Sequence, residues 1–399
     1  MAIILNQNQE LTLKERFFNL NFIFILIIAL LAAIGCITLY SAAGGKMTPW
    51  ALNQGIRFGM GLGVMIVAAL IRPEFYYKIA TPFYLFTLFL LLVVDVAGHT
   101  GMGAQRWINL GFFKLQPSEL MKLAIVLQLA RYFSNTPYEE IRTLRGIVIP
   151  AVTVAVPVAF IMIQPDLGTS LMVLFCAAAL FYLAGVQWWK FAAVFAAVAA
   201  AAPVLWHFLH DYQKNRILTF LDPERDPQGA GYHIIQAKIA LGSGSVWGKG
   251  FLSGTQSHLN FLPEKHTDFI FTTFSEEFGM MGGAFILFLN LILISYGYWF
   301  AFRIHNSNYF GKMVILGLNT NYFLYVFINV AMVIGLLPVV GIPLPLISYG
   351  GTVIISVMAS FGIMLSFYAN RDRELKKCPP APAANLLKPD IFGIYVLAS

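Results

Sequence analysis

The chain has 399 residues, of which 58% are hydrophobic and only 11% charged, where soluble globular domains carry about 45–50% and about 25%. That balance excludes a soluble enzyme. The 26 basic and 19 acidic residues leave a net charge of +7, but with apolar runs this long the position of each charge decides more than the sum.

A hydrocarbon layer about 30 Å thick takes about 20 apolar residues per helix. Such runs fall at 22–42, 52–71, 78–97, 116–132, 146–163, 169–185, 190–209, 274–301, 312–337 and 346–369, those near 116 and 169 being short. The pattern predicts an all-α polytopic membrane protein with ten transmembrane helices. A polar start (Asn6 to Glu10) precedes the first run, which lacks an A-x-A-like cleavage site and reads as a signal anchor that stays attached.

An even count puts both termini on one side. Lys14, Arg16, Arg72, Lys78, Arg131, Arg142, Arg145, Lys190, Arg303, Lys312 and five more basic residues after Asn370 share that side, against Lys46, Arg106 and Lys114 in the short loops opposite. The positive-inside rule therefore places both termini in the cytoplasm, and it accounts for the alkaline pI of 9.2 without a nucleic-acid partner. One domain over 1–371 and a cytoplasmic tail over 372–399 follow. Cys36, Cys176 and Cys378 form no disulfide framework and no metal spacing.

The one long connection, about 210–273, then lies outside, between the seventh and eighth helices, and it is polar and Gly-rich. Its amphipathic stretch, Tyr232, Ile234, Ile235, Ile239 and Leu241 against His233, Gln236 and Lys238, is expected to lie along the membrane surface. With few apolar residues to form a core, the loop is expected to be ordered by a partner. Gly242-Ser-Gly-Ser245 and Gly248-Lys-Gly250 resemble phosphate-cradling loops only superficially, since no strand precedes them and no G-K-[ST] pattern is completed.

Charges at membrane depth cost about 2.5–3.5 kcal/mol each on insertion scales, so each is a functional candidate or half of a structural pair. They are Arg57, Asp95, Glu119, Lys122, Asp166, Glu276 and Glu277, with Asp268 at the mouth of the eighth helix. The segment Phe261-Leu-Pro-Glu264-Lys265-His266-Thr267-Asp268 sets two carboxylates beside a Lys and a His at the membrane interface. It suits acid–base work on a lipid-linked substrate, or a helix cap by Thr267 or Asp268. In the first outer loop, Arg106 could hold a pyrophosphate and Trp107 could stack on a sugar or belong to the interfacial aromatic belt. Pro117 suits the first position of a helix bearing Glu119 and Lys122 on one face. Gln164-Pro-Asp166-Leu-Gly brings a third carboxylate to the outer side, as a turn cap or a substrate contact.

The motifs GAQRW (103–107), QPSE (116–119), QPDLGTS (164–170), LDPERDPQGAGYHIIQAKIALGSG (221–244), LPEKHTDFIF (262–271) and PLPLISYGG (343–351) resemble those of the SEDS family of cell-wall polymerases, over about residues 15–371. The wording around 221–236 and 266–271 and the compact N-terminus are similar to the elongation branch rather than the division branch.

The resemblance implies a ten-helix peptidoglycan glycosyltransferase of the bacterial inner membrane. It would polymerise lipid II alongside a class B penicillin-binding protein that cross-links the glycan. Asp268 takes the position of the family's essential outer-loop aspartate, and Trp107 that of its functionally sensitive tryptophan. A sugar hydroxyl of one lipid II would attack the anomeric carbon of another with inversion, Asp268 taking the proton. Arg106, Lys122, Lys265 or a divalent cation would steady the departing pyrophosphate. Glu264 is expected to tune local charge, and His266, Glu119 and Asp166 to line the substrate site. Rival readings are a flippase for the lipid-linked precursor and a non-catalytic scaffold for a transpeptidase.

Overall fold

A computed structural model describes residues 11–372 apart from 102–103, 110–113, 209–210, 226–229, 260, 262–263 and 306, together with 387–389 and 395–397. Fifteen helices run in chain order among these residues: α1 Leu13–Phe18, α2 Phe22–Ala42, α3 Ala51–Leu70, α4 Pro73–Ala97, α5 Pro117–Asn135, α6 Tyr138–Ile141, α7 Leu144–Ile163, α8 Leu167–Leu183, α9 Trp188–Phe208, α10 Asp211–Leu221, α11 Ala230–Ser243, α12 Thr255–His258, α13 Ile270–Arg303, α14 Tyr309–Val333 and α15 Gly351–Ala369. The ten long ones coincide with the ten predicted runs. Seven of them (α2, α3, α4, α7, α13, α14, α15) are long and apolar enough to cross a membrane. Of the other three, α5 carries Glu119, Lys122 and Arg131, while α8 has 17 residues and α9 an internal Pro203.

Local chemistry explains where the helices start. Thr12 and Glu15 close a capping box on α1, and Asn21, Thr143, Asp166 and Asn308 each accept from a first-turn amide of α2, α7, α8 and α14. Pro73 and Pro117 stand in the first turns of α4 and α5, where a missing N–H costs nothing.

Packing sorts the helices into an enclosed set and a lipid-facing set. α3 lies along α15, α4 along α5, and α14 against α5, α8 and α13. α5, α14 and α15 are mostly buried, whereas α2, α3, α4 and α7 expose most of their apolar surface. Being enclosed is why α5 tolerates a Glu and a Lys at depth.

Three sequence expectations need correction. The chain is not all-α: the first outer loop folds as a three-stranded antiparallel sheet, β1 His99–Gly101, β2 Ala104–Asn109 and β3 Lys114–Leu115, pairing His99 with Trp107 and Ile108 with Leu115. Short alternating polar and apolar segments between turn residues satisfy their backbone as a meander. A second two-stranded ladder, Leu387–Pro389 with Tyr395–Leu397, lies in the tail.

The outer loop also has its own anchorage. α11 packs on α13, burying Ile234, Ala237 and Ala240 and leaving Ile239 exposed. Of the expected apolar face, Ile234 is buried and Leu241 packs against the core while Ile239 is exposed, and the small residues Ala237 and Ala240 let the helix approach α13 closely. The eighth long helix, finally, is broken. Gly279 (φ 68°, ψ −168°) separates a short outer piece from the main span of α13.

Candidate active site

Two clusters meet at one end of the helices, on either side of the irregular segment that links α14 to α15. This segment includes Ile342, Leu344, Leu346 and Ile347, all buried, and Gly35 of α2 packs directly on it: a Cβ there would lie 2.7 Å from Ile347 Cα. Non-helical backbone at membrane depth persists only where protein covers it and supplies its hydrogen bonds.

On one side sits the turn holding Asp268. Thr267 N–H and Phe269 N–H both donate to Glu264 C=O (3.2 Å each), and the Glu264 carboxylate accepts from Thr267 Oγ1 at 2.8 Å. The turn is clasped to the linking segment: Ser348 Oγ donates to Thr267 C=O (2.6 Å) and accepts from Leu344 N–H (2.8 Å), while Tyr349 N–H donates to His266 C=O (2.9 Å). Asn329 Nδ2 donates to Asp268 C=O (2.9 Å) and Ile342 C=O (2.7 Å), pinning both sides to α14. Asp268 itself is half-buried, its Oδ2 beside Gly341, where a Cβ would lie 3.5 Å away. The cap position of α13 is Phe269, with no side-chain cap bond. Helix capping therefore does not account for the acidic residues here.

A layer of rings and cations covers this turn. The His266 imidazole stacks on Trp50 (4.5 Å between centroids) and meets Tyr349 at a tilt of 53°, and the Arg57 guanidinium lies 4.2 Å over the Tyr349 ring. Burial holds His266 below the usual imidazole range; Glu264 opposes that and Lys265 reinforces it. Burial also lowers the Lys265 ammonium, which donates to Ser257 C=O at 2.6 Å.

On the other side, β2 and the 164–170 turn interlock. Arg106 Nε donates to Gln164 C=O (3.0 Å) and Nη2 to Pro165 C=O. Gln164 Nε2 reaches Asp95 Oδ1 (2.8 Å) on α4, and Gln116 Nε2 reaches Asp166 Oδ2 (3.3 Å). Asp166 caps α8 through Thr169 N–H (3.2 Å) and Thr169 Oγ1 (2.9 Å), the capping alternative of the sequence reading. Gly168 packs against Val340 and Ile342. Gly168, just after Asp166, and the Asp268 carboxylate thus flank one stretch of chain, Val340–Ile342. Trp107 stands half-buried on β2 beside Arg106.

One turn into α5, Lys122 Nζ donates to Glu119 Oε1 at 2.7 Å with both side chains almost wholly buried. Glu119 Oε2 accepts from Ser356 Oγ (3.0 Å) and from the Tyr325 hydroxyl, which also receives Lys122. The pairing follows from the i, i+3 spacing. Tyr325 and Ser356, contributed by α14 and α15, do not. Also missing from the expected site are Trp50, Asn329, Gly341, Ser348 and Tyr349, and Arg57 was noted only as a buried-depth charge. Asn329 carried a signal, being an amide inside an apolar run, and Ser348 and Tyr349 lie in the PLPLISYGG motif; Trp50 and Gly341 look like ordinary helix or loop residues in one dimension.

An enclosed set of helices carrying buried charges, ringed by long apolar helices, defines a polytopic membrane protein. The chain belongs to the FtsW/RodA/SpoVE family, whose model, described as "Cell cycle protein", matches residues 21–373. It is 43% identical over 348 residues to the peptidoglycan glycosyltransferase MrdB of Escherichia coli K12, covering 87% of this chain and 93% of the relative. Identity is 38% over 324 residues to MrdB of Helicobacter pylori (80% and 84% covered), and 32% over 345 residues to a probable peptidoglycan glycosyltransferase FtsW of Idiomarina loihiensis (85% and 83%). Among solved structures, a chain of a peptidoglycan synthase complex that coordinates polymerization and crosslinking superposes with a TM-score of 0.77 at 28% identity, covering 88% of this chain and 98% of that one. The rod shape determining protein RodA of Thermus thermophilus gives 0.66 at 25%, covering 89% and 97%.

Proposed function

We propose that this chain is a peptidoglycan glycosyltransferase of cell elongation that joins lipid II disaccharides into glycan strands at the outer face of the bacterial inner membrane. The single observation that carries the site assignment is Asp268. It is a half-buried carboxylate held by its backbone to α14 and the linking segment, under a layer of aromatic rings and cations at the outer helix ends.

In the proposed step a sugar hydroxyl of the acceptor attacks the anomeric carbon of the donor. The new C–O bond forms as the bond to pyrophosphate breaks, Asp268 takes the hydroxyl proton, and undecaprenyl pyrophosphate leaves with the bonding electrons. An α-linked donor gives a β-linked product by single displacement, so no covalent enzyme intermediate is needed. Arg106 and Lys265 contribute positive field for the leaving group and Arg57 joins them, whereas the Lys122 charge is largely taken up by its buried pairing with Glu119. Trp107 offers a ring face to a sugar, with Glu264, His266, Glu119 and Asp166 shaping the surroundings. A divalent cation at the pyrophosphate is the alternative counter-charge for the leaving group. Among the described residues no three His, Cys, Asp or Glu side chains gather to hold one, so no step is assigned to it.

The ten long helices are proposed to span the bilayer with both termini cytoplasmic and the 210–273 connection outside, as the Lys and Arg distribution favours. A class B penicillin-binding protein is the proposed partner, supported by the similarity to a chain of a peptidoglycan synthase complex. Purified protein with that partner and labelled lipid II should yield long glycan. A flippase would only relocate the label, and a scaffold would leave it unchanged.

A further inference from the structure

The glycine-rich stretch 242–254 matches no nucleotide loop, and the site above does not use it. It wraps the break in α13. Met280 N–H donates to Ser245 C=O (2.9 Å) and Met281 N–H to Val246 C=O (3.2 Å), while Lys249 N–H donates to Glu276 C=O (3.1 Å) and Gly250 N–H to Glu277 C=O (3.0 Å). These are the donors and acceptors that a broken helix leaves open, and at this depth they need protein partners. The approach is so close that a Cβ on Gly248 would lie 2.0 Å from Glu277 C=O, and one on Gly279 would lie 2.4 Å from Gly248 N. Only glycine fits at these two positions, which also have positive φ.

At the centre is Glu276, fully buried. Its Oε1 accepts from Lys249 Nζ (2.7 Å), Gln256 N–H (2.9 Å) and Thr255 Oγ1 (3.2 Å), and its Oε2 from Ser257 N–H (3.3 Å). All four donors come from residues 249–257. The carbonyl of the same residue, Ser257, accepts from Lys265 Nζ, and Lys265 C=O accepts from Thr273 Oγ1 at 3.4 Å. Asp268 lies in sequence between Lys265 and Glu276. Both ends of its segment are therefore tied to one residue, Ser257, through its N–H and its C=O.

We propose that Glu276, through Lys249 and the backbone of Ser257, is a positioning residue that sets the attitude of Asp268 in the glycosyl transfer. This rests on the functional reading above. A buried carboxylate removed from its ammonium leaves an uncompensated charge, so a break in this network loosens the turn at 264–269 without touching bound substrate. Misplacing a catalytic group by about 1 Å can cost on the order of 100-fold in rate.

The test uses full-length protein with its partner and lipid II, comparing wild type with Glu276→Gln, Lys249→Met and Lys249→Arg. Expected are at least a tenfold fall in kcat per folded molecule for the first two with KM within twofold, and recovery of most of the rate in Lys249→Arg, which keeps the charge. Amide exchange over residues 264–273 should accelerate at least tenfold in the same two variants while α5 is unchanged. If Glu276→Gln does not fold, Lys249→Met carries both readouts, since Glu276 then keeps its other three donors. Wild-type kcat per folded molecule, or unchanged exchange at 264–273, overturns the proposal. The exchange arm decides this even if wild type makes no glycan, an outcome that sinks the functional reading instead.

Discussion

The imidazole of His266 lies flat on the indole of Trp50, centroids 4.5 Å apart and planes within 8° of parallel. These residues stand more than two hundred positions apart in the chain, and their stack closes the turn bearing Asp268 against the start of α3. His266 Nδ1 is buried without a hydrogen-bond partner, so the neutral ring is the form this site accepts.

Because burial depresses the folded pKa of His266 below 6.5, the unfolded chain binds more protons at mildly acidic pH, and stability must rise with pH up to neutrality. Thermal unfolding in detergent from pH 5 to 7.5 should show midpoints climbing across that window and then levelling for this group. In His266→Gln the dependence should shrink. An identical slope in the variant would assign it to other groups.

Asp268→Asn should fold normally and lose about 10²–10⁴-fold in glycan synthesis, the usual contribution of a general base. Glu264→Gln should lose far less, since its carboxylate braces Thr267. Equal losses would exchange or merge the two roles.

Gly341 has φ +76° and abuts the Asp268 carboxylate. Gly341→Ala carries about 1–2 kcal/mol of left-handed backbone strain and should slow polymerisation more than it raises KM. An unaffected kcat would show that this contact does not hold the carboxylate.

Lys122→Met strands the Glu119 carboxylate among Tyr325 and Ser356. Breaking a buried pair costs about 3–5 kcal/mol, whereas removing both charges together costs far less. Glu119→Leu/Lys122→Met should therefore unfold at a higher temperature than Lys122→Met alone. The reverse order in a thermal-shift series would refute the pairing argument, whatever the activities.

With α11 already resting on α13 through Ile234, Ala237 and Ala240, addition of a class B penicillin-binding protein should raise glycan synthesis without increasing amide protection over 234–243. A large gain in protection there would show that the partner orders the loop.

Much of this was legible in one dimension. Run lengths located the ten long helices within a few residues, since apolar length and capping residues act locally. The i, i+3 spacing gave the Glu119–Lys122 pair, because one helical turn fixes which side chains meet. The acidic turn at 264–268 stood out because charge near a membrane is costly wherever the chain goes. What the sequence could not determine were the contacts made between distant segments. Ser348, Asn329 and Tyr349 clasp the Asp268 turn through hydrogen bonds to its backbone, which leave no side-chain pattern. Trp50 is a site residue only because α3 brings it beneath His266. The glycines at 244–250 read as a failed phosphate loop until tertiary packing placed them on the broken α13, where backbone meets backbone and no side chain fits.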